Sequence, residues 1–227
     1  MNILKIAHRG AKAYEPENTL QAFQKALDLH SDGIELDVHL SADGHIIVMH
    51  DETIDKMTNG KGDINTYTLA ELKSFLIADE FQIPTLNEVF DLVNKKCFIN
   101  VELKNADTSN NVVSLIEKYI AEKDWNYGHF IISSFDWNAL KEVQNLNPNI
   151  PIGVLTEENI DTALAFAETI KAKAIHPDFQ LLNKENVSKI QEKGFFVFPW
   201  TVNSEEDIQK VKSYQVNGII SDNPDKI

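Results

Sequence analysis

The chain contains 227 residues, of which 43% are hydrophobic, and its 35 acidic and 21 basic side chains give a formal net charge of −14. That length and apolar content allow a sizeable core in one barrel or two small domains, whereas the negative charge disfavours nucleic acid and anionic membranes as partners. One cysteine, Cys97, permits no internal disulfide, and without a run of about 18 apolar residues or a secretory signal we expect a cytoplasmic protein.

Apolar, strand-like runs alternate with segments of helical periodicity along the chain. The predicted strands cover 3–7, 33–38, 97–103, 130–134, 152–155, 174–176, 195–200 and 218–221. The predicted helices between them cover 20–29, 86–94, 112–121, 139–146, 163–170, 187–192 and 208–213. This alternation predicts one domain over residues 1–227, a TIM (β/α)8 barrel with a truncated last helix. The alternative is an open doubly wound sheet, which the lack of a Gly-x-Gly-x-x-Gly turn disfavours.

One stretch, at about 40–84, interrupts the repeat where a helix should follow the second strand. It contains a hairpin-like turn at 41–44, a strand at 46–50, a turn at 59–62 and a short helix that begins at Thr68. Thr68 and Glu71 have the spacing of a helix-capping pair, as do Thr85 and Glu88. We expect a small insertion over the barrel mouth, too short to form an independent domain.

Acidic residues stand near the ends of two predicted strands, where a barrel of this kind places its active site. Glu35 and Asp37 share one face of the second strand, and Glu102 lies near the end of the third. Their neighbours are apolar, and a buried carboxylate needs a partner. Oxygen ligands of this type favour a hard divalent cation such as Mg²⁺ or Ca²⁺. The alternatives are solvated acids on a surface strand and a salt bridge from Glu102 to Lys104.

Two histidines, His8 and His50, follow predicted strands, and imidazole is the side chain best suited to proton transfer near neutral pH. One imidazole could deprotonate an attacking oxygen while the other protonates a leaving alcohol. Arg9 and Lys104 are candidate donors to phosphate oxygens, or ion-pair partners of the same carboxylates. Together with the acids, these residues predict phosphoester chemistry.

Two further residues have alternative interpretations. Asn18 can either cap the first helix or contact substrate. Trp200, at the end of the seventh predicted strand, is either a core aromatic residue or a wall of the substrate pocket. Cys97, at the start of an apolar strand, is expected to be a buried structural thiol rather than a nucleophile.

The chain resembles the glycerophosphodiester phosphodiesterases in motifs that follow the family's order over nearly its whole length. The matching segments are His8-Arg-Gly10, Pro16-Glu-Asn-Thr19, Glu35-Leu-Asp-Val38, Val48-Met-His-Asp51, Thr58-Asn-Gly-Lys-Gly62, Pro84-Thr-Leu-Asn-Glu-Val-Phe90, Val101-Glu-Leu-Lys104, Trp200-Thr-Val-Asn203 and Gly218-Ile-Ile-Ser-Asp-Asn-Pro224. The stretch at 53–57 departs from the family's usual pattern.

The resemblance implies metal-dependent hydrolysis of a small-molecule glycerophosphodiester to glycerol 3-phosphate and an alcohol, on a TIM barrel with a small insertion. It implies one divalent cation, Mg²⁺ or Ca²⁺. The implied site residues are Glu35, Asp37 and Glu102 for the cation, His8 and His50 for acid/base catalysis, Arg9 and Lys104 for phosphate, and Glu17 and Asn18 in support. It also implies that the insertion helps to bind glycerol.

Two other functions are open to the same residues. A metal-dependent amidohydrolase is also a (β/α)8 barrel, but its first strand usually carries a His-x-His pair, where this chain has His8-Arg-Gly10. A catalytically inactive barrel that binds a phosphorylated ligand would keep the fold and the basic residues, but would not need both histidines and all three acids.

Overall fold

The fold is built on parallel strands that alternate with helices, in a computed structural model that describes residues 3–227. The strands are β1 (Leu4–Ala7), β2 (Gly33–Leu40), β3 (Ile46–Val48), β4 (Leu76–Ile77), β5 (Phe81–Gln82), β6 (Phe98–Leu103), β7 (Phe130–Ser134), β8 (Ile152–Thr156), β9 (Ala174–Pro177), β10 (Phe196–Val197) and β11 (Gly218–Ser221). The helices are α1 (Leu20–Asp28), α2 (Leu69–Leu72), α3 (Leu86–Val93), α4 (Ser109–Lys123), α5 (Trp137–Leu146), α6 (Ile160–Thr169), α7 (Lys184–Glu192) and α8 (Glu205–Ser213).

Eight of these strands pair in the order β10-β9-β8-β7-β6-β2-β1-β11. Backbone hydrogen bonds connect the ends of this series, among them those from the Asn217 amide to the Val197 carbonyl at 3.1 Å and from the Ile220 amide to the Pro199 carbonyl at 2.9 Å. The sheet therefore closes into the predicted TIM barrel, and the open doubly wound alternative is wrong. A short 3₁₀ turn at Pro224–Lys226 follows β11.

The residues after β2 form the predicted insertion. β3 pairs antiparallel with β2, α2 begins with a capping box between Thr68 and Glu71, and β4 and β5 form a two-stranded ribbon. The insertion has its own apolar cluster, in which the buried side chains are Ile47, Met49, Ile54, Ile64, Leu72, Ile77 and Ile83. Because this cluster is separate from the main core, the insertion can pack over the barrel edge as a unit.

Several helices begin about one turn earlier than the apolar periodicity predicts. α5, α6 and α7 start directly after Asp136, Asn159 and Asn183, and each of these side chains accepts a hydrogen bond from a backbone amide of the first turn. The first turn of α7, Lys184-Glu-Asn, is polar and carries no apolar signal. In all three helices the capping side chain sets the boundary. Cys97 is buried, and that burial raises its pKa to about 12, as expected of a structural thiol. None of the helices within residues 3–227 is long and apolar enough to cross a membrane.

Candidate active site at the carboxyl ends of the strands

Three carboxylates meet on two neighbouring strands. In the register of β2 and β6, Asp37 lies beside Glu102, and Glu35 lies one step earlier on the same face of β2. One carboxylate oxygen from each of the three residues lies within 4.8 Å of the others. Glu35 and Asp37 are buried, and Glu102 is 12% exposed. The structure thus brings together the three acids that the sequence predicts as cation ligands.

Two basic side chains flank this cluster without neutralising its charge fully. The Lys104 ammonium donates to Glu102 Oε1 at 2.7 Å and to Asp37 Oδ1 at 3.2 Å. Arg9 Nε lies 3.4 Å from Asp37 Oδ2, within ion-pair range although not in hydrogen-bond geometry. Three carboxylates therefore face two fixed positive charges, which leaves a net negative charge in a buried place.

The unequal surroundings shift the pKa values of the acids in different directions. Burial, followed by repulsion from Asp37, raises the pKa of Glu102 to about 7. Burial and the neighbouring Asp37 and Glu102 raise the pKa of Glu35 well above its ordinary value. Burial would also raise the pKa of Asp37, but the positive charges of Lys104 and Arg9 outweigh it, so the pKa of Asp37 is lowered. A bound divalent cation would relieve this repulsion, and an all-oxygen donor set fits Mg²⁺ or Ca²⁺.

The loop after β1 holds the cluster from one side. The Arg9 backbone amide donates to Glu35 Oε2 at 2.9 Å, and Arg9 adopts a left-handed φ of 53° to do so. Arg9 Nη1 donates to Glu17 Oε1 at 2.8 Å, and Lys12 lies 2.9 Å from the other oxygen of Glu17. A left-handed backbone costs a non-glycine residue on the order of 1 kcal/mol, so the contacts with Glu17 and Glu35 must hold it.

Asn18 lies beside the acids rather than capping the first helix. Thr19 is the N-cap of α1 and accepts a bond from the Ala22 amide at 3.1 Å, so the capping alternative for Asn18 is wrong. The Asn18 side-chain amide donates to Asp37 Oδ2 at 2.9 Å, and this bond orients the carboxylate. Gly10 permits the tight turn, because a Cβ there would lie 2.7 Å from the Ala22 backbone.

Each candidate catalytic histidine is held by a carboxylate. His8 Nδ1 lies 2.6 Å from Asp222 Oδ1, and His50 Nδ1 lies 2.6 Å from Asp51 Oδ1. Because an ionised carboxylate only accepts, each Nδ1 must carry the proton, which leaves Nε2 of the neutral ring with a free lone pair. Burial lowers the pKa of His8, and the bond to Asp222 partly offsets that effect.

Two more residues fix these carboxylate and histidine positions. The Asn203 side chain donates to Asp222 Oδ2 at 2.9 Å and accepts from the Asp222 backbone amide at 2.9 Å. His39 Nε2 lies 3.1 Å from the His50 carbonyl and can only donate to it. The sequence patterns assign no individual role to Asp51, Asp222, Asn203 or His39. Two of these residues have a signal in the sequence: Asp222 directly follows β11, and Asp51 directly follows His50.

A cavity of about 100 Å³ at this end of the barrel joins the predicted residues. Its walls include both histidines and the charged side chains of Arg9, Glu35, Glu102 and Lys104, and Trp200 and Phe135 form its aromatic side. The two aromatic rings contact edge to face at 5.4 Å, and Trp200 Nε1 donates to the His176 carbonyl at 2.8 Å. Asp37, Glu17 and Asn18 do not line the cavity but contact residues of the site. Trp200 is therefore a cavity wall rather than a residue of the closed core.

Comparisons with known proteins place these features in context. A family model described as the glycerophosphoryl diester phosphodiesterase family matches residues 8–226. The chain is 38% identical over 237 residues to a glycerophosphodiester phosphodiesterase of Caldanaerobacter subterraneus, covering 100% of this chain and 97% of the relative. It is also similar to the crystal structure of a glycerophosphodiester phosphodiesterase from Thermotoga maritima, with 30% identity, a TM-score of 0.84 and coverage of 99% and 96%. A phosphodiesterase of Oleispira antarctica, solved in complex with the product sn-glycerol-3-phosphate, is 27% identical with a TM-score of 0.89 and coverage of 98% and 94%.

Proposed function

The chain belongs to the glycerophosphoryl diester phosphodiesterase family, and on that premise we propose that it hydrolyses glycerophosphodiesters to glycerol 3-phosphate and an alcohol with the help of one divalent cation. One observation carries the proposal: an incompletely neutralised, buried group of three carboxylates adjoins a cavity lined by two imidazoles, each with a carboxylate on Nδ1. The family match favours this reaction over that of a metal-dependent amidohydrolase. It also accords with the glycerol phosphate product bound by the Oleispira relative.

Glu35, Asp37 and Glu102 would hold the cation, which we propose to be Mg²⁺ or Ca²⁺ because every donor is a carboxylate oxygen. When bound, such a cation neutralises the acids and acts as a Lewis acid toward a phosphate oxygen. Asn18 keeps one oxygen of Asp37 occupied, so the orientation of that carboxylate is set before any ligand arrives. Lys104 offsets part of the remaining charge.

His8 and His50 supply the proton transfers. One neutral imidazole accepts a proton at Nε2 from the attacking oxygen as the new P–O bond forms. That oxygen belongs either to water, which gives glycerol 3-phosphate directly, or to a glycerol hydroxyl, which gives a cyclic phosphate that water then opens. The other imidazole, protonated at the start, gives its Nε2 proton to the leaving alcohol oxygen as the old P–O bond breaks. Asp222 and Asp51 fix the ring orientations and stabilise the protonated state of either ring.

The basic residues of the cavity would bind phosphate. Arg9 offers a planar fork of donors and Lys104 a compact charge, and both line the cavity next to the histidines. Glu17 and Asn18 act as positioning residues for Arg9 and Asp37. Trp200 forms a wall of the site, and we propose that the insertion, which carries His50 just after β3, contributes to binding of the glycerol end.

The test is a metal-dependent release of glycerol 3-phosphate from glycerophosphocholine or glycerophosphoethanolamine. Purified protein should be active with Mg²⁺ or Ca²⁺, lose activity in chelator and regain it when the cation is restored. His45→Ala, an exposed histidine of the insertion, is the matched control for His8→Ala and His50→Ala. A protein that binds the product but releases none from either diester would be the inactive barrel, and full activity after exhaustive chelation would remove the cation from the proposal.

A further inference from the structure

A second cavity, of about 330 Å³, adjoins the catalytic cavity and shares two of its walls, Phe135 and Leu155. It lies over the loops that follow β7 and β8, and its other lining residues are Trp137, Thr156, Glu157, Glu158, Asn159 and Thr162. Its volume is within the range of about 300–1,000 Å³ that small-molecule sites occupy. The catalytic cavity is smaller, so a diester bound there at its phosphate must extend one of its two halves beyond it.

The charges of the two cavities differ. Arg9 and Lys104 line the catalytic cavity, whereas no lysine or arginine lines the second one. Glu157 and Glu158 are exposed, and within residues 3–227 neither side chain forms an ion pair or a hydrogen bond. Two unpaired carboxylates without a local cation repel a phosphate and attract a positive group. The second cavity is thus unsuited to the glycerol phosphate half of the substrate.

Two aromatic rings complete the walls. Phe135 is 43% exposed and stands between the two cavities, with its edge-to-face contact to Trp200 on the catalytic side. Trp137 is held rigidly, because its ring stacks on Phe166 with centroids 4.6 Å apart and its Nε1 donates to the Leu155 carbonyl at 3.1 Å. Aromatic rings beside carboxylates are the chemistry that binds ammonium groups, through the negative face of the ring and the opposite charge of the acid.

We propose that this second cavity is the subsite for the alcohol half of the diester, and that it favours alcohols that carry an ammonium group. Phe135, Trp137, Glu157 and Glu158 would contact that group, while the phosphate stays between the histidines. This inference rests on the proposed phosphodiesterase function, since it assigns a place to the leaving alcohol of that reaction. The preference is modest, because the carboxylates are solvated and screened by salt.

The test compares kcat/KM for glycerophosphocholine and glycerophosphoglycerol, whose alcohols differ in charge. Wild-type protein should prefer the choline diester by about 10-fold, which combines a cation–π contact with two weak surface attractions. The double variant Glu157→Gln, Glu158→Gln should lower that preference to within about 3-fold by loss on the choline diester alone, with glycerophosphoglycerol turned over as before. A fivefold increase in salt should lower the wild-type preference in the same direction.

The control is Glu205→Gln, Glu206→Gln, an adjacent and exposed pair in the first turn of α8 that lines neither cavity. This control also removes two negative charges and should leave the preference for the choline diester intact. Competitive inhibition by choline, compared with its uncharged isostere 3,3-dimethyl-1-butanol, gives a second reading that does not depend on turnover. Equal inhibition by the two alcohols, or a preference that both double variants leave unchanged, would overturn the subsite. Failure to turn over either diester would instead contradict the proposed function itself.

Discussion

Replacing Glu102 with glutamine should stabilise the protein in chelator and remove most of its stabilisation by a divalent cation. Burial and repulsion from Asp37 hold the pKa of Glu102 at about 7, against an ordinary value of 4.5. That difference corresponds to about 3 kcal/mol of destabilisation by the ionised carboxylate above pH 7. Glutamine keeps the shape and an acceptor for Lys104 but carries no charge. In chelator at pH 8, the variant should therefore melt roughly 6–12 °C higher than the wild type.

The stability advantage of the variant should nearly disappear when the cation is added. A cation present at about 100 times its dissociation constant stabilises the wild type by about 2.7 kcal/mol, and the variant, with one carboxylate fewer, should gain far less. Thermal unfolding of the wild type and the variant, each with and without Mg²⁺ or Ca²⁺, gives four melting temperatures. Glu122→Gln on the exposed face of α4 is the control. In chelator, the advantage of the variant should shrink as the pH falls from 7 toward 4.5, because Glu102 then takes up a proton in the folded protein. A variant that is less stable than the wild type in chelator, yet gains as much from the cation, would refute the assignment.

The remaining predictions concern catalysis, acid stability and substrate range. His8→Ala and His50→Ala should each lower kcat by at least about 10²-fold with the cation still bound. The double variant should lose less activity than the product of the two single effects. A near-normal kcat in either single variant would mean that the residue is structural. Burial lowers the pKa of His176 to about 3, so the unfolded chain takes up its proton near pH 6.5 and the folded protein does not. Stability should therefore fall with pH from 6.5 toward 3, by about 1.4 kcal/mol per pH unit from this residue, and denaturant unfolding of His176→Leu should show a correspondingly shallower decline. Across glycerophosphocholine, glycerophosphoethanolamine and glycerophosphoglycerol, kcat/KM should vary by well under about 10³-fold, whereas bis(p-nitrophenyl) phosphate, which lacks the glycerol hydroxyls, should be a poor substrate; efficient turnover of that diester would contradict recognition through the glycerol half.

The barrel was predictable from sequence because apolar strand-like runs that alternate with helical periodicity indicate which segments are buried. The acids were predictable for a related reason: Glu35 and Asp37 interrupt an otherwise apolar strand, where a charge needs a partner. The pairing of His8 with Asp222 was not predictable, because it joins residues 214 positions apart through closure of the barrel. The left-handed backbone of Arg9 was also hidden, since no glycine marks it. The single-domain boundaries and the cytoplasmic location stay predictions.

The two imidazoles depend on different parts of the fold. His8 follows β1, and the four-residue pairing of β1 with β11 places it beside Asp222, which Asn203 holds from the segment after β10. The strands that supply this half of the site are the same ones whose hydrogen bonds close the barrel.

His50 is held locally instead. Asp51 is its next neighbour in the chain, and β3, which precedes it, is anchored by pairing with β2, while His39 binds its carbonyl. The three carboxylates lie between these halves, on β2 and β6, which pair over six residues. A change that loosens barrel closure would therefore disturb His8 first, and a change in the insertion would disturb His50 first. In the proposed mechanism both imidazoles act together, so that mechanism requires a closed barrel and a docked insertion, whereas the proposed cation site depends on the central strand pair and on the loop after β1.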